Sequence, residues 1–201
     1  MSRFYRFVYA VGFTPWEADS ENVSPELRSV LGRVEDGLER PFGAALDLGC
    51  GRGRWSVELA ERGWDVTGVD VIPKAVLGAR RRADEAGVAA RFVEGSVTAL
   101  RDAGVGTGYR LVLDVECFNH LSDQERAAVG REVDAVAGPD AEIILLVWSR
   151  ARRGPFPPGA TRDGVAAAFP GWRIVEETPY RAKLPPPLRS IKPRWYRLTR
   201  A

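Results

Sequence analysis

Leu46-Asp47-Leu48-Gly49-Cys50-Gly51-Arg52-Gly53-Arg54-Trp55, with Val66-Thr67-Gly68-Val69-Asp70 following it, decides the fold. The first run reads as a short buried strand, a glycine turn and the opening of a helix. The second reads as a strand that ends in a carboxylate. Together they make half of a nucleotide-binding α/β domain.

The residues around the turn say which nucleotide. A dinucleotide fingerprint places a third glycine three positions after the second, so that helix and strand pack closely over a pyrophosphate. Arg54 occupies that position, and the glycines run Gly49, Gly51, Gly53. An acid, Asp47, stands two residues ahead of the first glycine, where it repels a pyrophosphate and suits a cationic ligand. Asp70 at the end of the second strand is placed to accept hydrogen bonds from both hydroxyls of a ribose. A ligand with a ribose, a cationic end and no phosphate fits all three features, and S-adenosylmethionine has that chemistry.

With these residues in hand, the chain resembles the class I S-adenosylmethionine-dependent methyltransferases over roughly Ala44 to Ser149, and more loosely beyond. The family's first motif, an acid followed by Gly-x-Gly after strand one, is matched by Asp47, Gly49 and Gly51; its ribose-binding acid is matched by Asp70. The resemblance implies a Rossmann-like, doubly wound, mostly parallel seven-stranded sheet with helices on both faces and the last strand antiparallel.

The 201 residues suit one domain with a full core. The expected division is an N-terminal helical cap over 1–43 and a nucleotide-binding core over 44–201. A net charge of +2 is too small to argue for nucleic acid or an anionic membrane. Two cysteines, Cys50 and Cys117, make neither a disulfide framework nor metal-ligand spacing, so no metal is expected and a reducing cytoplasm is the default. Basic residues are nearly all arginine, with lysine at 74, 183 and 192 only, a bias typical of GC-rich bacterial genomes. The apolar run near the N-terminus is short and interrupted by Arg6, and no other stretch has the length of a membrane span.

Phe4, Phe7, Val8 and Val11 share one helical face, which predicts a short amphipathic helix; binding at a membrane surface is the competing reading. Ser24-Pro25-Glu26 starts a second helix, with the apolar stripe Leu27, Val30, Leu31, Val34 and Leu38. Strands are expected at 44–48, 65–70, 90–94, 110–114 and 143–148. Helices are expected at 54–62, 73–86 and 122–137, the last opened by the capping box Ser122-Asp123-Gln124-Glu125. Such alternation makes a parallel sheet with right-handed crossovers. Residues 150–159 read as a loop, 163–169 as a short helix, and 172–178 and 194–198 as an antiparallel pair at the sheet edge.

In an open parallel sheet the ligand lies beyond the carboxyl ends of the strands, where strand order reverses. The turn residues Gly49, Cys50 and Gly51 approach the cofactor, Asp70 holds its ribose, and Val71 gives an apolar face to adenine. Where the family carries an acid and an apolar residue after strand three, this chain has Ser96 and Val97; the Ser96 hydroxyl can accept one hydrogen bond or simply form a turn. Family position also implies that Asp114 and Val115 line the methionine end. Cys50 and Cys117 then stand at the ends of neighbouring strands, close together and reduced.

Trp16, in Thr14-Pro15-Trp16-Glu17, matches an aromatic that lies over the cofactor in thiol-, halide- and thiopurine-type methyltransferases; docking the N-terminal segment is the plainer reading. His120 is the single histidine and has two readings, a general base after strand four or a packed helix start. Phe118 and Asn119 are expected in the acceptor pocket. The expected reaction is methyl transfer to an O, N or S atom of a small molecule. A cofactor-binding sensor without transfer and a nicotinamide-dependent dehydrogenase are the rivals, the second opposed by Arg54 and Asp47. Asp114-Val115-Glu116-Cys117 departs from the Asn/Asp-Pro-Pro-aromatic motif of enzymes that methylate base amino groups, so no nucleic-acid partner is expected.

Overall fold

A computed structural model describes residues 25–149, 158–181 and 191–201. The amphipathic segment at 4–11, the Thr14-Pro15-Trp16 element and most of the 150–159 loop lie outside the described residues.

Helix α1 (Pro25–Glu35) starts on proline with Glu26 in its first turn, where the helix dipole favours an acid. It buries Leu27, Val30, Leu31 and Val34, the i, i+3, i+4, i+7 stripe. The helix stops short of Leu38, because Gly37 turns left-handed, yet Leu38 still packs on the same core. The chain then alternates through β1 (Ala44–Leu48), α2 (Arg54–Arg62), β2 (Asp65–Asp70), α3 (Pro73–Ala86), β3 (Ala90–Glu94), β4 (Tyr109–Val115), α4 (Asp123–Val136) and β5 (Ala137–Val147). It closes with α5 (Arg162–Ala168), β6 (Trp172–Pro179) and β7 (Arg194–Arg200).

The seven strands lie in the order β3-β2-β1-β4-β5-β7-β6. β1 pairs in parallel with both β2 and β4, and β7 is antiparallel to β5 on one side and β6 on the other. This is the expected doubly wound sheet with its last strand inserted antiparallel. Strand order reverses between β1 and β4, so the crossovers leave these two strands for opposite faces and open a crevice at their carboxyl ends. Leu27, Leu31, Leu59, Leu111, Leu113, Ile144 and Trp195 fill the core on the face of α1 and α2. Leu46, Leu48, Val112, Phe118, Val129, Val133, Ile143 and Phe169 fill the core under α4 and α5.

One strand differs in extent. β5 begins at Ala137 instead of Ile143, and its pairing shifts from Tyr109↔Ala137 to Leu111↔Glu142. The extra residues include Gly138 and Pro139, and proline cannot donate to the ladder, so the strand bulges there. The capping box at α4 is present in full: the Ser122 hydroxyl accepts from the Glu125 amide and the Glu125 carboxylate accepts from the Ser122 amide.

Helices α4 and α5 touch through Gly130. A Cβ added there would lie 1.7 Å from the Ala168 carbonyl oxygen, which is backbone and cannot swing aside. Gly130→Ala is expected to lower the unfolding free energy by about 3 kcal/mol, measured by urea denaturation, even though alanine is the better helix former.

Candidate active site

The glycine turn is bent by backbone signs that glycine tolerates best. Gly49, Gly51 and Gly53 have φ of +66°, +54° and +75°. Gly53 caps α2 without a side chain to bond its first amides, and the Ser56 amide in that first turn is bonded to the Asp47 carboxylate. Asp70 holds the turn in place. Its Oδ2 accepts from the Gly51 amide at 3.0 Å, and its Oδ1 accepts from the Ile72 amide at 2.8 Å. The carboxylate therefore ties the end of β2 to the loop after β1. Val71 beside it is 40% exposed, one of few large apolar side chains open to solvent among the described residues.

Beneath the turn lie two buried acids. Asp47, 1% exposed, accepts from the Ser56 hydroxyl at 2.6 Å. Burial pushes its pKa up to about 7, with the Asp70 charge adding to the rise and Ser56 opposing it. Asp114, also buried, accepts from the Phe118 amide, and burial pushes it up to about 8. Both acids, expected at the cofactor, are buried in the protein beneath the turn. Sequence reading missed Ser56; its position nine residues after Asp47, on the inner side of α2, is the signal that could have found it.

The two cysteines are where the strand order requires. A Cβ on Gly49 would fall 2.6 Å from the Cys117 Cβ, so the exit of β4 presses on the turn after β1. Cys50 packs on Gly68 of β2. Both thiols are free, and burial with the nearby acids pushes both pKa values well above the usual range.

The segment after β4 packs inward. Phe118 and Asn119, expected in the acceptor pocket, are fully buried in the protein. Phe118 stacks on Phe169 at 5.9 Å, and the Arg126 guanidinium covers its ring at 4.9 Å. Asn119 donates to the Leu146 carbonyl at 3.1 Å and accepts from the Trp148 amide at 2.8 Å, pinning the turn to the end of β5. Val97 is buried in the core, and the Ser96 hydroxyl is shared with the Thr98 side chain and amide, forming the turn. Val115 is half-buried and packs on the α1 core. His120 lies 6.3 Å from the Trp148 ring, and burial with the Arg126 charge lowers its pKa to about 4. So low a pKa makes its imidazole a weak proton acceptor. Arg126, buried and bound to the Phe118, Asn119 and Gly159 carbonyls, holds this turn together, and no sequence motif announced it.

Residues 45–140 match the family model described as a methyltransferase domain. Just under half of the chain thus carries the sequence pattern of a methyltransferase domain. It is 38% identical over 135 residues to a ubiquinone biosynthesis O-methyltransferase of Azorhizobium caulinodans, covering 60% of this chain and 51% of that protein. The chain thus spans about half the length of that relative. A structure solved in work on conversion of a disulfide bond into a thioacetal group during echinomycin biosynthesis superposes with a TM-score of 0.74 and 25% identity. That match covers 100% of this chain and 92% of the other. Magnesium protoporphyrin IX methyltransferase from Synechocystis PCC 6803, solved with bound SAH, superposes with a TM-score of 0.73 at 19% identity over 97% of this chain and 96% of its own.

The site fits S-adenosylmethionine chemically. The turn is flanked by the acids Asp47 and Asp70, which suit a sulfonium and an ammonium, and the exposed Val71 offers an apolar surface beside them. Among the described residues no group of His, Cys, Asp and Glu is placed to hold a metal ion, and no helix is long and apolar enough to cross a membrane.

The raised acids make the ligand-free protein sensitive to base. Asp47, Asp114 and Glu116, the last also pushed up to about 7 by burial, bind protons when folded at pH values where the unfolded chain, with carboxylates near 4, has lost them. Their contribution is fully present below about pH 4 and is lost as pH rises through 7 to 8. His120 has the opposite sign: its folded pKa lies below 6.5, so its contribution is present above pH 6.5 and lost as pH falls toward 4. From pH 6.5 to 8.5 the acids act without it. Unfolding free energy is expected to fall over that interval, by up to about 1.4 kcal/mol per pH unit for each proton released. Asp114→Asn should flatten the slope by about one proton's worth in urea titrations at the two pH values.

Proposed function

We propose that this protein is an S-adenosylmethionine-dependent methyltransferase, which moves the methyl group of S-adenosylmethionine to a nucleophilic O, N or S atom of a small molecule. The observation that carries this reading is the Asp70 clamp on an acid-flanked glycine turn, at the point where strand order reverses. There Asp70 holds the ribose hydroxyls, Val71 meets the adenine, and the turn from Gly49 to Gly51 receives the amino-acid end. Bound cofactor supplies a methyl group already activated by a sulfonium, so the protein's tasks are alignment and exclusion of water. His120 packs against Trp148 in this reading and takes no proton.

Support for a small acceptor comes from the modest charge of +2 and from the relative that is named an O-methyltransferase of ubiquinone biosynthesis. Calorimetric titration with S-adenosylmethionine and S-adenosylhomocysteine tests the cofactor, and release of S-adenosylhomocysteine with a panel of phenols, amines and thiols tests the transfer. Both ligands are expected to bind. Asp70→Ala is expected to weaken both by about 100-fold or more, since it removes a charged acceptor and frees the turn at once. Wild-type protein that binds neither ligand overturns the reading.

A further inference from the structure

Trp64 shows how a buried indole is normally kept: its Nε1 donates to the Glu35 carboxylate at 3.0 Å. Trp195 on β7 is kept differently. It is 1% exposed, and its Nε1 is cut off from solvent with no hydrogen-bond partner among the described residues. An unfilled buried donor opposes folding, and phenylalanine would fill most of the same space without that cost. Trp172 also has an unfilled Nε1, but it lies at the far end of the sheet, where β6 begins, with the Arg200 guanidinium 4.7 Å from its ring.

Strand register places Trp195 at the ligand end. Val115 pairs with Leu146, and Leu146 pairs with Trp195, so the three stand in one row across β4, β5 and β7. One step back along β4, Asp114 pairs with Leu48, the residue before Gly49, so the same row runs on to the cofactor turn. Paired residues point to one face of a sheet, and Val115, Leu146 and Trp195 share the apolar cluster on the side of α1 and α2. Trp55, in the first turn of α2, and Tyr180, just past β6, are half-buried against that cluster. Trp195 thus stands about 10 Å across the sheet from Val115, two strand spacings, which is the span of one or two fused rings. A lone water suits this place badly, since a buried water takes two to four hydrogen bonds and the cluster is built of hydrocarbon and aromatic side chains.

We propose that Trp195 Nε1 is the donor that selects the methyl-accepting substrate, and that it binds a carbonyl oxygen on a flat, otherwise apolar small molecule. This rests on the methyl-transfer reading above. An indole N–H donates and never accepts, so it recognises oxygen acceptors and is left unfilled by a hydrocarbon of the same shape. The apolar cluster favours a neutral carbonyl over a carboxylate, whose charge would be buried without a partner. The half-buried Trp55, Val115 and Tyr180 are the side chains that part to admit the substrate.

Matched substrates read the donor directly: 3′-aminoacetophenone against 3-ethylaniline, and 3′-hydroxyacetophenone against 3-ethylphenol, each pair alike in shape but for the carbonyl oxygen. By S-adenosylhomocysteine release, the wild type is expected to show a KM about 10-fold lower for the carbonyl member. Trp195→Phe keeps an aromatic ring and removes the N–H. It is expected to raise KM for the carbonyl members about 10-fold beyond its effect on the ethyl members, with S-adenosylhomocysteine binding as the check that the variant is folded. A measurement on the wild type alone needs neither the variant nor turnover. With S-adenosylhomocysteine bound, one indole N–H signal in the 1H–15N NMR spectrum is expected to move downfield on addition of a carbonyl member and to stay in place with its ethyl partner. Indole signals that respond alike to both members of each pair overturn the role of Trp195 and leave the methyl-transfer reading standing. Equal KM values within the pairs, or a folded Trp195→Phe that keeps the wild-type KM for the carbonyl members, do the same. Wild-type protein that binds neither S-adenosylmethionine nor S-adenosylhomocysteine overturns the methyl-transfer reading itself.

Discussion

The close approach of β4's exit to the glycine turn after β1 is the constraint on which the rest of the site depends. Only a hydrogen at Gly49 leaves room for Cys117, where a Cβ would meet its side chain at 2.6 Å. With the two strand ends so near, one crossover leaves for each face of the sheet, and the crevice between them becomes the place for a ligand. Asp70 then fixes the turn from the β2 side through the Gly51 amide. A larger residue at position 49 would force apart the strands that define the crevice.

The second feature is a concentration of acids under and around that crevice. Asp47 and Asp114 are each buried with a hydrogen-bond donor, and each is held well above its usual pKa by burial. Burying carboxylates in this way opposes folding at neutral pH. A cationic ligand bound above them offsets that opposition, because its charge favours their ionised form. Affinity for a sulfonium and sensitivity of the ligand-free protein to base thus have a common origin.

The alternation of strands and helices was legible because apolar periodicity and the punctuation by glycine and proline are local signals. The capping box at Ser122 and the proline start of α1 were read for the same reason. Phe118 and Asn119 were misplaced because their surroundings come from remote chain: Phe169 stacks on the first, and Leu146 and Trp148 bind the second. A loop that follows a strand at the ligand end looks like a pocket wall in sequence. Here Arg126, from within α4, binds its carbonyls and pulls it into the core.

The sequence by itself determined the element order, the glycine turn and the two acids that flank it, since each depends on residues a few positions apart whose chemistry is local. Only the tertiary structure decided that Asp47 and Asp114 are buried, that the His120 pKa is lowered, and that Glu116 is held left-handed after β4. Those outcomes depend on burial and on contacts between residues well separated along the chain, such as Gly51 with Asp70, 19 positions apart, and Asn119 with Trp148, 29 apart. Burial is a property of the packed chain, and no spacing along the sequence encodes it.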